Sequence, residues 1–303
     1  MRRLTLACVA AVAAAAFLKQ PAQAELSVIT TDTTLASIAR EVGGNLVKVE
    51  SLSRGTDDPH AVEPRPSMIV KLARAQVFAR IGMDLDMWAD AVLEKSGNRS
   101  IQRGAKGYAD CSQNLRVLEQ PSGKLDPSMG DIHVYGNPHY LFDPANGILA
   151  AGNIAAALIR VDPANQAQYQ QRFTQFSNRL KQQLEGWRKT LAPYRGAKIV
   201  TYHRSWVYFM ERFGLKEFAP IEPKPGIAPS PGHIAELVRA MKAEGVRVIL
   251  TESFRSPRFP NLISQQTGAK VASVPGAVEA EPGITDYLQF IGAIVDRVAA
   301  ALR

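Results

Sequence analysis

The residues best equipped for chemistry are five histidines, His60, His133, His139, His203 and His233. His60 lies in a polar, turn-rich loop that follows a short apolar run, and His203 directly follows another. His139 sits in Asn137-Pro138-His139, where Pro138 confines the residue before it to extended conformations. Asp143-Pro144, four residues on, reads as a helix N-cap followed by proline at the first helical position. A lone loop histidine is usually a surface or hydrogen-bonded group. Three at equivalent strand-end positions are different, because ligands of open α/β sheets gather at the carboxyl ends of the strands. Neutral imidazoles meeting there suit a divalent ion such as zinc in tetrahedral coordination. His133 reads first as a solvated loop histidine and second as auxiliary metal capture, and His233 as a structural residue in a capped first turn. Asp57, Asp58 and Glu63 either hydrogen-bond the imidazoles from outside or form a solvated acidic loop. Arg204 either makes a surface pair or gates the cleft.

The elements that must position these side chains alternate. Strand-like runs at 26–30, 47–52 and 77–81 are separated by helical spacing at 33–42, 67–75 and 85–95, which argues for a parallel α/β sheet. Residues 97–135 are glycine-rich and polar, with little period, and are expected to be irregular. After a helix from Asn146, residues 164–191 place Tyr169, Phe173, Phe176, Leu180, Leu184, Trp187 and Leu191 on one stripe. A helix of that length spans about 40 Å, enough to lie along two lobes. Alternation then resumes, with strands at 198–201, 218–221, 246–251 and 271–274, helices at 206–213, 231–244 and 257–267, and a terminal helix at 286–302. The expected architecture is two parallel-sheet α/β lobes, 25–161 and 194–303, joined by a long interlobe helix at 162–193.

Residues 1–24 read as a cleaved export signal, with Arg2 and Arg3 before an apolar run and Ala22-Gln23-Ala24 at the cleavage site. No later segment looks long and apolar enough to cross a membrane. The formal charge falls from +8 to +5 once Arg2, Arg3 and Lys19 leave with the leader. The remaining excess is spread along the chain, so nucleic acid is not an expected partner. Cys111 becomes the only cysteine of the mature chain, which excludes an intramolecular disulfide and any zinc site built on several thiolates.

Three segments resemble the metal loops of TroA-type (cluster A-I) solute-binding proteins, the metal receptors of bacterial ABC importers. They are Gly55-Thr56-Asp57-Asp58-Pro59-His60-Ala61-Val62-Glu63-Pro64, Asn137-Pro138-His139-Tyr140-Leu141-Phe142-Asp143-Pro144 and Thr201-Tyr202-His203-Arg204-Ser205-Trp206-Val207-Tyr208-Phe209. The first carries one extra acidic residue, and the likeness covers essentially the whole mature chain. It implies that His60, His139 and His203 bind one metal between the lobes. The fourth ligand it implies is a carboxylate near the last helix, for which Asp286 is the preferred match and Glu252 the competitor. Histidine at the third position leans toward zinc, where manganese receptors often carry glutamate.

The implied activity is periplasmic capture of Zn2+ and its delivery to an inner-membrane ABC permease. A monomer is expected, with room for a periplasmic metallochaperone as a further partner. Another class, a secreted zinc hydrolase, needs an open coordination position and a nearby general base. The chain has no His-Glu-x-x-His segment, and no serine or cysteine nucleophile set is evident. An adhesin or a chelated-metal receptor would share the fold class but needs no matched histidines.

Overall fold

A computed structural model describes residues 25–121 and 133–303; the expected leader at 1–24 lies outside them. In chain order the N-terminal half runs β1 (Leu26–Thr30), α1 (Thr33–Gly43), β2 (Val47–Ser51), α2 (Pro66–Ala73), β3 (Val77–Arg80), α3 (Trp88–Lys95) and β4 (Tyr108–Asp110). Two helices follow, α4 (Pro144–Val161) and α5 (Gln166–Leu191). The second half runs β5 (Lys198–Thr201), α6 (Val207–Phe213), β6 (Lys216–Pro220), α7 (Pro231–Glu244), β7 (Val248–Glu252), α8 (Arg258–Thr267), β8 (Lys270–Val274) and α9 (Tyr287–Leu302).

The two sheets share one plan, with strand orders β2-β1-β3-β4 and β6-β5-β7-β8. Every pairing is parallel. Parallel sheets are covered on both faces, so their inner strands are buried along their length; β3 and β7 are buried at every residue. All the loops that follow the strands therefore leave each sheet at its carboxyl edge, and the histidine loops are among them.

β4 corrects the expectation that 97–135 is irregular, although 122–132 lie outside the described residues. The strand is only three residues long, an edge strand flanked by Gly107, too short to show a period. α4 also departs from expectation, because its 18 residues reach the length and apolar composition of a membrane span. Its buried face packs against α1, α5 and β4, as a core helix does.

α5 is 26 residues long, about 39 Å at 1.5 Å per residue. Short 3-10 turns at Pro163–Asn165 and Ala192–Tyr194 extend it at both ends. Tyr169, Phe176, Leu180, Leu184, Trp187 and Leu191 are buried on its stripe, as the spacing requires; Phe173 lies at the edge. The helix packs on α1 and α4 of the first half and on α9 of the second. One apolar cluster consequently runs from Val28 and Val77 through the α5 stripe to Ile199 and Leu250, with a smaller cluster on the far face of each sheet.

Candidate metal centre

The site is made of strand-end loops from both sheets. Asp58 and His60 follow β2, and Asp84 follows β3. His133, Asn137 and His139 follow β4; His203 follows β5 and Glu222 follows β6. His60, His133, His139 and His203 each bring one ring nitrogen to within 4.8 Å of the other three. Their ring centroids stand 5.0–5.5 Å apart in the pairs that touch. His139 and His203 are buried, and His60 and His133 half-buried.

Each imidazole is aimed by a polar partner at Nδ1. His60 faces Asp58 Oδ1 at 2.8 Å, His133 faces Asp84 Oδ1 at 2.7 Å and His203 faces Glu222 Oε2 at 2.7 Å. His139 Nδ1 meets Asn137 Oδ1 at 2.9 Å. That Asn137 oxygen also accepts the His139 backbone N–H, while the amide nitrogen donates to Glu119 and to the Arg204 carbonyl. In the neutral rings Nδ1 therefore carries the proton and Nε2 presents the lone pair.

His60 Nε2 and His139 Nε2 are 3.2 Å apart, so that with both rings neutral and protonated at Nδ1 two acceptors stand face to face. Among the described residues, His133 Nε2 is buried with no hydrogen-bond partner. Such an arrangement is unfavourable unless a cation lies between the nitrogens. Four nitrogens around one zinc at about 2.1 Å stand roughly 3.4 Å apart, which this cluster fits.

The supports are fixed in turn. Asp84 lies in a loop braced by buried Arg80, whose guanidinium pairs with Asp86 at 2.8 Å and also with Asp90. Asp86 Oδ2 accepts the Ile81 N–H at 2.7 Å, and Asp84 Oδ2 accepts that of Val134. Gly55, in the His60 loop, lies against the backbone of the second half, where a Cβ would stand 2.3 Å from the Val278 oxygen. Burial raises the Asp58 carboxyl, but the bond and charge of His60 and the charge of Arg255 outweigh it and hold the group at about 2. Glu222 is likewise lowered: burial raises it, and His203 and Arg255 prevail.

The remaining sequence candidates fall elsewhere. Asp286, expected as the fourth ligand, is the N-cap of α9, its Oδ1 accepting the Gln289 N–H at 2.8 Å, and is not among the grouped donors. Thr285-Asp286 before an apolar helix is a capping sequence, and the ligand role came from the family resemblance alone. His133 is the fourth member of the group. Its only signal in the sequence was its nearness to the Asn137-Pro138-His139 segment. Glu252 pairs with Arg255 at 3.2 Å and lines a cavity of about 50 Å³ beside His60 and His139. His233 lies in the first turn of α7, its N–H on Ser230. Asp57 pairs with Arg54, Glu63 is exposed, and Arg204 pairs with Glu119.

Comparison with known proteins agrees with this fold. The metal ABC transporter substrate-binding lipoprotein SloC of Streptococcus mutans is 26% identical over 261 residues, covering 84% of this chain and 82% of that protein. The iron-binding protein YfeA of Yersinia pestis is 25% identical over 283 residues, covering 91% and 86%. A crystal structure of ZnuA superposes with a TM-score of 0.78 over 92% of this chain and all of that one, at 23% identity, which establishes the shared fold. Residues 28–301 match the family described as zinc-uptake complex component A, periplasmic, and the chain belongs to that family.

Proposed function

We propose that this protein is a periplasmic receptor that captures Zn2+ with His60, His133, His139 and His203 and delivers it to an ABC permease of the inner membrane. The observation that carries the reading is the set of four inward Nε2 lone pairs, each backed by an oxygen at Nδ1. Donor chemistry argues for zinc among the divalent metals bound by relatives, because manganese prefers oxygen donors and no carboxylate among the described residues belongs to this group. Four protein ligands also close the tetrahedron, leaving no open position for a reactive water, so the arrangement suits carriage of the ion and not hydrolysis. A metallochaperone remains compatible with a site whose His60 and His133 are half-buried.

Metal analysis with competition titration tests the reading. One equivalent of zinc, held more tightly than manganese, is expected. Preference for manganese would shift the assignment to a receptor for that metal, and turnover of ester or peptide substrates would overturn the receptor reading.

A further inference from the structure

Arg255, in the loop after β7, has a role the ligand set does not explain. Its side chain is only 9% exposed and touches three carboxylates. Nη1 lies 3.4 Å from Glu222 Oε1 and 3.7 Å from Asp58 Oδ2, and Nε lies 3.2 Å from Glu252 Oε2. The guanidinium also stands against two rings, 5.4 Å from the Tyr202 centroid and 5.1 Å from that of Phe254. Gly276 makes room for this packing, since a Cβ there would come within 2.4 Å of Phe254.

The two outer carboxylates divide their oxygens in the same way. Asp58 gives Oδ1 to the His60 ring and turns Oδ2 toward Arg255; Glu222 gives Oε2 to the His203 ring and Oε1 to Arg255. Asp58 belongs to the first half of the molecule and Glu222 to the second. One planar cation with donors fixed in a fork therefore links the two imidazole supports across the cleft.

We propose that Arg255 is a positioning residue that couples the His60 and His203 supports, so that each half holds its imidazole in a way that depends on the other. The proposal rests on the assignment of His60 and His203 as metal ligands. The reasoning is that Nη1 is shared: it lies at the edge of contact with both carboxylates, and when one loses its charge the guanidinium moves onto the other. Substituting Asp58 therefore loosens Glu222 from His203 as well as removing the partner of His60. The second substitution then has less left to remove.

The test is a mutant cycle on intact protein, read as Zn2+ affinity against a chelating indicator. Asp58→Asn and Glu222→Gln are each expected to weaken zinc about tenfold or more. With Arg255 present, the double variant is expected to lose less than the product of the two, by about threefold or more. In an Arg255→Met background the same losses should multiply, leaving only whatever coupling passes through the metal itself. Arg255→Gln gives the same reading if Arg255→Met does not fold. Equal coupling with and without the guanidinium, or no coupling in either background, overturns the proposal. His60→Ala and His203→Ala are measured alongside. If they bind zinc as the parent does, the ligand assignment fails; if they lose zinc while the cycle is unaffected by Arg255, only the coupling fails.

Discussion

At His139 burial and the neighbouring His60, His203 and His133 rings act together, pushing the imidazole well below its usual range. Burial also lowers His203, against the opposing pull of Glu222. An unfolded histidine titrates near 6.5. Below that pH the unfolded chain binds protons that the folded, metal-free protein does not, so stability must fall with pH. Melting curves of chelator-treated protein are expected to show a decreasing midpoint from pH 7.5 to 5.5, and a flat profile would contradict these environments. Asp58 adds to acid sensitivity only later, as pH falls below about 4 toward its folded value near 2. Zinc binding near pH 6 should release fewer than four protons per metal, because His139 and His203 have few to give; calorimetry in buffers of different ionisation enthalpy measures the number. His60→Ala, His133→Ala, His139→Ala and His203→Ala should each weaken zinc by about two orders of magnitude or more, since each leaves three donors and a cavity. Asp286→Ala should leave zinc affinity unchanged and cost about 1 kcal/mol of stability through its lost cap, a contrast read from paired titrations and melts.

Among the elements, α5 bears most on the geometry of the cleft. Phe176 is fully buried on its stripe, with its ring 6.4 Å from that of Tyr287 in α9. Tyr287 in turn donates its hydroxyl to the Leu141 carbonyl at 2.7 Å, just beyond His139. Phe176→Ala should cost about 3–5 kcal/mol, as large-to-small core changes do, measured by denaturant unfolding. A loss under 1 kcal/mol would mean the helix is not packed as described. The strand-end loops show a second regularity, because β2, β3, β4, β5 and β6 each deliver either a histidine or the oxygen that aims one. The shared strand order of the two sheets makes this possible, bringing equivalent loops to one edge on both sides of the cleft.

Over the whole molecule the two sheets are tied by more than α5. Arg212 and Asp143 form a two-point pair at 2.7 Å, Asn137 donates to the Arg204 carbonyl at 2.6 Å, and Arg116 pairs with Glu211. The apolar cluster is continuous between the halves. Rotation of one half against the other would break that packing, so metal loading should rearrange loops more than the angle between lobes. Solution scattering on metal-free and zinc-loaded protein is expected to give nearly equal radii of gyration, and a large decrease on loading would show closure of the cleft instead.

The sequence by itself determined the alternation of strands and helices, the long apolar stripe of α5 and three histidines at strand ends, because all of these depend on local period, proline and capping signals. It also carried the family resemblance through its three loop motifs. Tertiary structure alone decided that His133 groups with them. His133 and Asp84 are 49 residues apart, and His203 and Glu222 are 19 apart. No periodicity relates such pairs; they meet only because parallel strands release their loops at a common edge. Asp286 shows the converse, since a carboxylate before a helix satisfies backbone N–H groups wherever the helix lies, and only the packed molecule determines whether it also reaches the site.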